Sequence, residues 1–184
     1  MAVVSVRTTA EWRAWLADNH DTEREVWLVI QHKDSATPSP RYHEAIEHAL
    51  CFGWIDSHAR KHDAGSSVLR FSPRTPNSTW SRVNRGRAAA MTERGLMTEP
   101  GAALIELAKA KGTWQVLTDE QSTVVPDDLA ELLDRDGTAV ENFARLSPSA
   151  RRLRLEWIAT AKRPETRRRR ITRTVADAAA GFPR

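Results

Sequence analysis

The sequence predicts an α+β fold: a small three-stranded, mainly antiparallel sheet with two helices, followed by a helical C-terminal half. Three observations carry this. Glu25 to Gln31 (EVWLVIQ) is a nearly continuous β-branched and aromatic run, the pattern of a buried strand. Two further runs, Trp54–Arg60 and Val68–Phe71, flank a short polar turn. After Pro73 the apolar residues recur only at helical spacing. The division expected is an α+β domain over 1–94, holding a candidate pocket. A helical region over 95–184 packs on it and ends in a basic helix.

In chain order, Thr8 or Thr9 caps a first helix whose Trp12, Trp15 and Leu16 share one face. Lys33 to Pro40 is loop, because its two closely spaced prolines cannot continue a strand or helix. Tyr42, Ala45, Ile46, Ala49 and Leu50 mark the second helix, which Gly53 stops. Asp63 to Ser67 closes a hairpin, with Gly65 free to take positive φ. Ser78 or Thr79 caps a helix from about Trp80 to Arg94. The next runs from Thr98 to Gly112, then loop to Val125. Pro126 with Asp127 and Asp128 starts a short helix through Leu133. Helices over 139–146 and from Ser147-Pro148 follow, the latter burying Leu153, Trp157 and Ile158. Pro164 breaks the chain again before a last helix to Ala180.

Composition narrows the class. With 184 residues, 40% hydrophobic content and seven tryptophans, the chain can bury a real core. No run of about 18 uncharged apolar residues occurs, so no spanning helix is expected. MAVVSVRTTAEW lacks the signature of a signal peptide, and the single Cys51 permits no internal disulfide. Both point to the cytoplasm. The net charge of +4 is unevenly spread: residues 147–184 carry 11 Arg/Lys against 3 Asp/Glu, while 76–146 carry 8 against 11. A basic tail of this kind favours polyanions or acidic surfaces.

The densest mixture of aromatic, polar and basic residues runs from Cys51 to Met91. On a strand, Trp54 and Asp56 share a face. Arg70, Arg74, Arg82, Arg85 and Arg87 surround a serine-containing loop that leads into a helix N-terminus. Unpaired amides and planar guanidinium groups there suit phosphate or carboxylate. The candidate ligand site is Trp54, Asp56, Arg70, Arg74, Trp80, Ser81, Asn84 and Arg85. The competing structural reading pairs Asp56 with Arg74, Arg82 or Arg85 to lock loop to sheet. No metal site, cofactor motif or catalytic group is expected. His43 and His48 diverge on their helix, and His58 and His62 lie about 13 Å apart along a strand. Neither HExxH, CxxC, GxSxG, P-loop nor GxGxxG occurs.

The strings EVWLVIQHK (25–33), YHEAIEHALCFGWID (42–56), RFSPRTPNSTWSRVNRGRAAAM (70–91), GLMTEPGAALIELAKAKGTW (95–114) and LSPSARRLRLEWIATAKRPETRRRRI (146–171) carry a resemblance. Together they resemble the YdeI/OmpD-associated (OmdA, bacteriocin-protection) family. That resemblance implies a cytoplasmic bacterial protein tied to tolerance of bacteriocins or cationic antimicrobial peptides. It implies no catalytic residues. Ser57 stands where the family form often has glycine, which adds a side chain beside the candidate pocket.

The function expected is a non-enzymatic stress- or antimicrobial-tolerance protein that binds an anionic small molecule or an acidic partner. One alternative is sequence-independent nucleic-acid binding through Arg163, Arg167, Arg168, Arg169, Arg170 and Arg173. That helix lacks interleaved aromatics for base stacking. Another is an enzyme using Asp56 as acid or base, helped by His58 or His62.

Overall fold

A computed structural model describes residues 2–182. The chain splits into two compact units, one through Gln115 and one from Val116. The helix expected to open the C-terminal region therefore belongs with the sheet.

The first unit holds a four-stranded mixed sheet in the order β1-β2-β4-β3. Its strands are β1 (Val3–Val4), β2 (Val26–Gln31), β3 (Trp54–Lys61) and β4 (Ser66–Pro73). Three of these match the sequence reading. The fourth, β1, corrects it: two residues pair parallel with β2 through Val3–Trp27 and Val4–Leu28. A strand this short has no readable alternation, so no pattern announces it.

The long β2 is covered on both faces, as its unbroken apolar run requires. Val26 and Leu28 enter the main core with Leu69 and Phe71, while Trp27 and Val29 join Val68 on the other side. Arg60 lies over the Trp27 ring there, 4.8 Å from its centroid. The β3–β4 register shifts between Asp56 and Ala59, a bulge in the strand that carries Asp56. The hairpin turn does not use positive φ at Gly65, unlike four glycines elsewhere. Instead Asp63 Oδ1 accepts from the Gly65 amide at 2.8 Å, an Asx-type closure.

Helices α1 (Thr9–Asn19), α2 (Tyr42–Cys51), α3 (Arg82–Glu93) and α4 (Glu99–Ala110) complete this unit. Trp12, Leu16, Ile46, Leu50, Met91 and Ile105 meet in one core with the sheet. The cap of α3 is Ser81, whose hydroxyl accepts from the Asn84 amide; Trp80 stays in the loop. The end of α2 touches α4 at Gly101, where an added Cβ would sit 2.2 Å from the Cys51 carbonyl oxygen. Gly53, at φ +75°, turns the chain from that helix into β3.

The second unit is α5 (Asp127–Leu133), α6 (Gly137–Ala144), α7 (Pro148–Ala159) and α8 (Pro164–Ala179), preceded by a turn-rich loop. Leu129, Phe143, Leu155, Ile158 and Ile171 form its core. One expectation fails in α7. Leu153 and Trp157 are exposed, and the inward stripe is Arg152, Leu155 and Ile158. Arg152 sets that rotation, because it bonds Asp119 (2.8 Å), Glu156 (3.0 Å), Ser122 (3.2 Å) and the Leu117 carbonyl (3.0 Å). A buried guanidinium with four acceptors outweighs the pull of two apolar side chains.

Candidate functional site

Of the eight residues proposed for a pocket, the structure gathers some and separates others. Trp54 is sealed in the core, 1% exposed, and its indole N–H donates to the His20 carbonyl at 3.0 Å. It lines no open cleft. Arg70 alternates with Leu69 and Phe71 and so lies on the opposite face of the sheet. There its Nε donates to Glu25 at 2.9 Å and Nη1 to Ser57 at 3.1 Å. Arg70 is spent on that carboxylate, which holds the Glu25 carboxyl below its ordinary range.

Asp56 sits opposite Phe71 at the rim of the core face. Its carboxylate accepts a hydrogen bond from the Tyr42 hydroxyl at 3.1 Å. Burial, then the Asp56 charge, raises the Tyr42 pKa, while Arg87 on α3 works against that rise. Among the described residues no salt bridge joins Asp56 to Arg74 or Arg82, although the field of Asp56 reaches Arg74.

Arg74 is the unusual member. It leaves β4 beside Pro73 and is only 7% exposed. Its guanidinium lies 4.0 Å from the centroid of the Trp80 ring and donates one hydrogen bond, to the Thr79 carbonyl at 2.9 Å. Desolvation pushes its pKa down to about 10, and the field of Asp56 opposes this. The cation therefore rests on an indole and a carbonyl, with no carboxylate in salt-bridge range among the described residues and only the more distant field of Asp56. Trp80 is itself buried and tilts against Trp114, with centroids 4.9 Å apart. Arg85 Nη1 ties the Trp80 and Trp114 carbonyls (3.3 and 3.1 Å). Ser81 caps α3, and Asn84 Oδ1 accepts from Arg87 at 3.0 Å.

The assembled cluster is thus Tyr42, Asp56, Arg74, Trp80, Asn84 and Arg87, drawn from α2, β3, the loop between β4 and α3, and α3 itself. Tyr42 is the addition the sequence did not offer. Its helical spacing reads as a core position, whereas the ring is half exposed and joins Asp56 across fourteen residues.

The basic helix is largely neutralised within its own unit. Arg167 grips Asp128 through Nε (2.6 Å) and Nη2 (2.8 Å). Arg173 pairs with Asp177 at 2.8 Å, and Arg168 lies 3.8 Å from Glu165. Arg170 lies over the Trp157 ring and bonds the Trp157 carbonyl and the Thr160 hydroxyl. Among the described residues only Arg163 and Arg169 of that set form no such contact. His58 and His62, candidate helpers for Asp56, are exposed, the first within the bulge and the second beyond the end of β3. No three His, Cys, Asp or Glu side chains among the described residues are placed to hold a metal ion. No helix among them is long and apolar enough to cross a membrane.

A family model described as a domain of unknown function, DUF8412, matches residues 4–104, more than half of the chain. The chain belongs to that family. A second model, described as Bacteriocin-protection, YdeI or OmpD-Associated (OmdA), matches residues 122–181. The resemblance to OmdA proteins is thereby borne out over that segment. The two matches fall on the two units, so the Tyr42–Arg74 cluster belongs to the DUF8412 part and the arginine-rich helix to the OmdA part. No curated protein and no solved structure matches the chain.

Proposed function

We propose that the chain is a binding protein rather than an enzyme. It takes an anionic small molecule or an acidic group of a partner at Arg74, beside Tyr42, Asp56, Asn84 and Arg87. The observation that carries this reading is the state of Arg74. A buried guanidinium with one hydrogen bond and no counter-ion is held at a cost, and an arriving phosphate or carboxylate supplies what it lacks. Trp80 fixes the guanidinium plane, and Arg87 adds a second positive group nearby. The OmdA match supports placing this binding in bacteriocin or antimicrobial-peptide tolerance, in a cytoplasmic bacterial protein. The ligand is an anion, so the role is not direct capture of cationic peptides.

The test is thermal unfolding with phosphate, sulfate and citrate at matched ionic strength. Wild-type protein is stabilised, and Arg74→Met removes the effect. Asp56→Asn enlarges it, because the carboxylate that competes for the field of Arg74 is gone. Equal shifts in wild type and Arg74→Met dispose of the proposal.

A further inference from the structure

The second unit contains a cavity of about 220 Å³ between α5, α6 and the start of α7. Its walls are apolar: Val125, Ala130, Leu133, Val140, Phe143 and Ala144. Arg151 is one of the two charged residues lining it. Its Nη2 donates to the Ala144 carbonyl at 2.8 Å, and its guanidinium carbon lies 5.8 Å from the Phe143 centroid. Its Nε–H is buried and has no acceptor among the described residues. A buried donor left unmatched in this way works against folding. A water molecule does not reach this Nε–H, so a ligand in the cavity meets it only when the Arg151 side chain turns toward the cavity.

We propose that this cavity binds a small apolar carboxylate, with its hydrocarbon part against Leu133, Val140 and Phe143 and its carboxylate on Arg151. Size supports the class: pockets for drug-sized ligands begin at about 300 Å³, so one ring or a short chain fits here and a nucleotide does not. Charge supports it as well. The neighbouring arginines Arg152 and Arg154 are held by Asp119, Glu156 and Asp177, whereas Arg151 has no carboxylate partner among the described residues. The other charged lining residue, Asp134, is exposed. It disfavours a plain anion slightly and favours a carboxylate that also carries an ammonium group.

The experiment is an NMR titration of the full chain with hexanoate and benzoate, and in parallel with leucine and phenylalanine. Saturable shifts at the Val125, Leu133 and Val140 methyls are expected from at least one pair. Arg151→Gln weakens that binding about tenfold or more, the loss typical of a hydrogen bond to a charged group. Ala130→Leu fills the cavity, suits a helix and abolishes the shifts, a second arm if Arg151→Gln fails to fold. Asp134→Asn tightens the simple carboxylates; with the amino acids it weakens binding, which identifies the zwitterion as the favoured form. Absence of saturable shifts with all four compounds overturns the proposal. Binding undiminished in both Arg151→Gln and Ala130→Leu does the same.

Discussion

The two units treat arginine in different ways. In the first, several guanidinium groups rest on rings: Arg13 over Phe52, Arg60 over Trp27 and Arg74 over Trp80. In the second, they mostly rest on carboxylates, as with Arg152, Arg154, Arg167 and Arg173. A ring or carbonyl orients the cation without cancelling its charge, whereas a carboxylate does both. Arginine count therefore misleads: the unit that holds the most basic stretch, residues 147–184, has spent much of that charge on carboxylates, and the sheet unit retains some. Arg70, paired with Glu25, is an exception in the first unit. In the second, Arg170 rests on the Trp157 ring, and Arg151, Arg163 and Arg169 form no salt bridge among the described residues.

The largest effect should come from breaking a carboxylate network. Arg152→Ala is expected to destabilise the second unit by about 3 kcal/mol, the low end for a broken buried pair because Asp119 stays in water. Urea unfolding followed by NMR signals of that unit measures it, and a change under about 1 kcal/mol would break the contrast drawn here. In the first unit, the comparison predicts a pH response at His48. This ring is 9% exposed with Nδ1 unbonded, and burial, then Arg13 and Arg94, depress its pKa, while Glu44 opposes them. The folded state therefore binds a proton less readily than the unfolded chain. Stability is fully present above about pH 6.5, falls as pH drops through the folded value, and levels off below it. His48→Gln should flatten that part of the profile in urea midpoints taken between about pH 7 and pH 5.

Removing an uncompensated charge should matter little to stability. Arg74→Met is expected to stay within about 1 kcal/mol of wild type without added anion, since the lost ring and carbonyl contacts are offset by relief of a buried cation. Smallest of all is Arg167→Ala, at about 0.5 kcal/mol and weaker in high salt, because its pair with Asp128 is largely solvated.

Much of this architecture was legible in the residues. The run VWLVI reads as a doubly covered strand, and the Pro–Asp starts and Gly stops give most helix ends within a few residues. What stayed hidden depends on partners distant in sequence. The two-residue β1 exists only because β2 offers an edge. The orientation of α7 depends on Asp119 and Ser122, thirty-odd residues before Arg152. In the candidate site, the loop serine, asparagine and arginines were visible as a group, but not which arginine lacked a counter-ion. Arg70 found Glu25 across forty-five residues, and Arg74 found a ring instead. Spacing along one strand cannot distinguish those outcomes, because alternation fixes the face and not the neighbour.

The central claim is that Arg74 retains charge that the arginines of the second unit have lost to carboxylates. NMR detection of arginine Nε–Hε resonances during a phosphate titration at fixed ionic strength tests this directly. The account predicts that the Arg74 resonance moves and saturates while those of Arg152, Arg154 and Arg167 stay in place. An unmoved Arg74, or a uniform drift of all four, would contradict it.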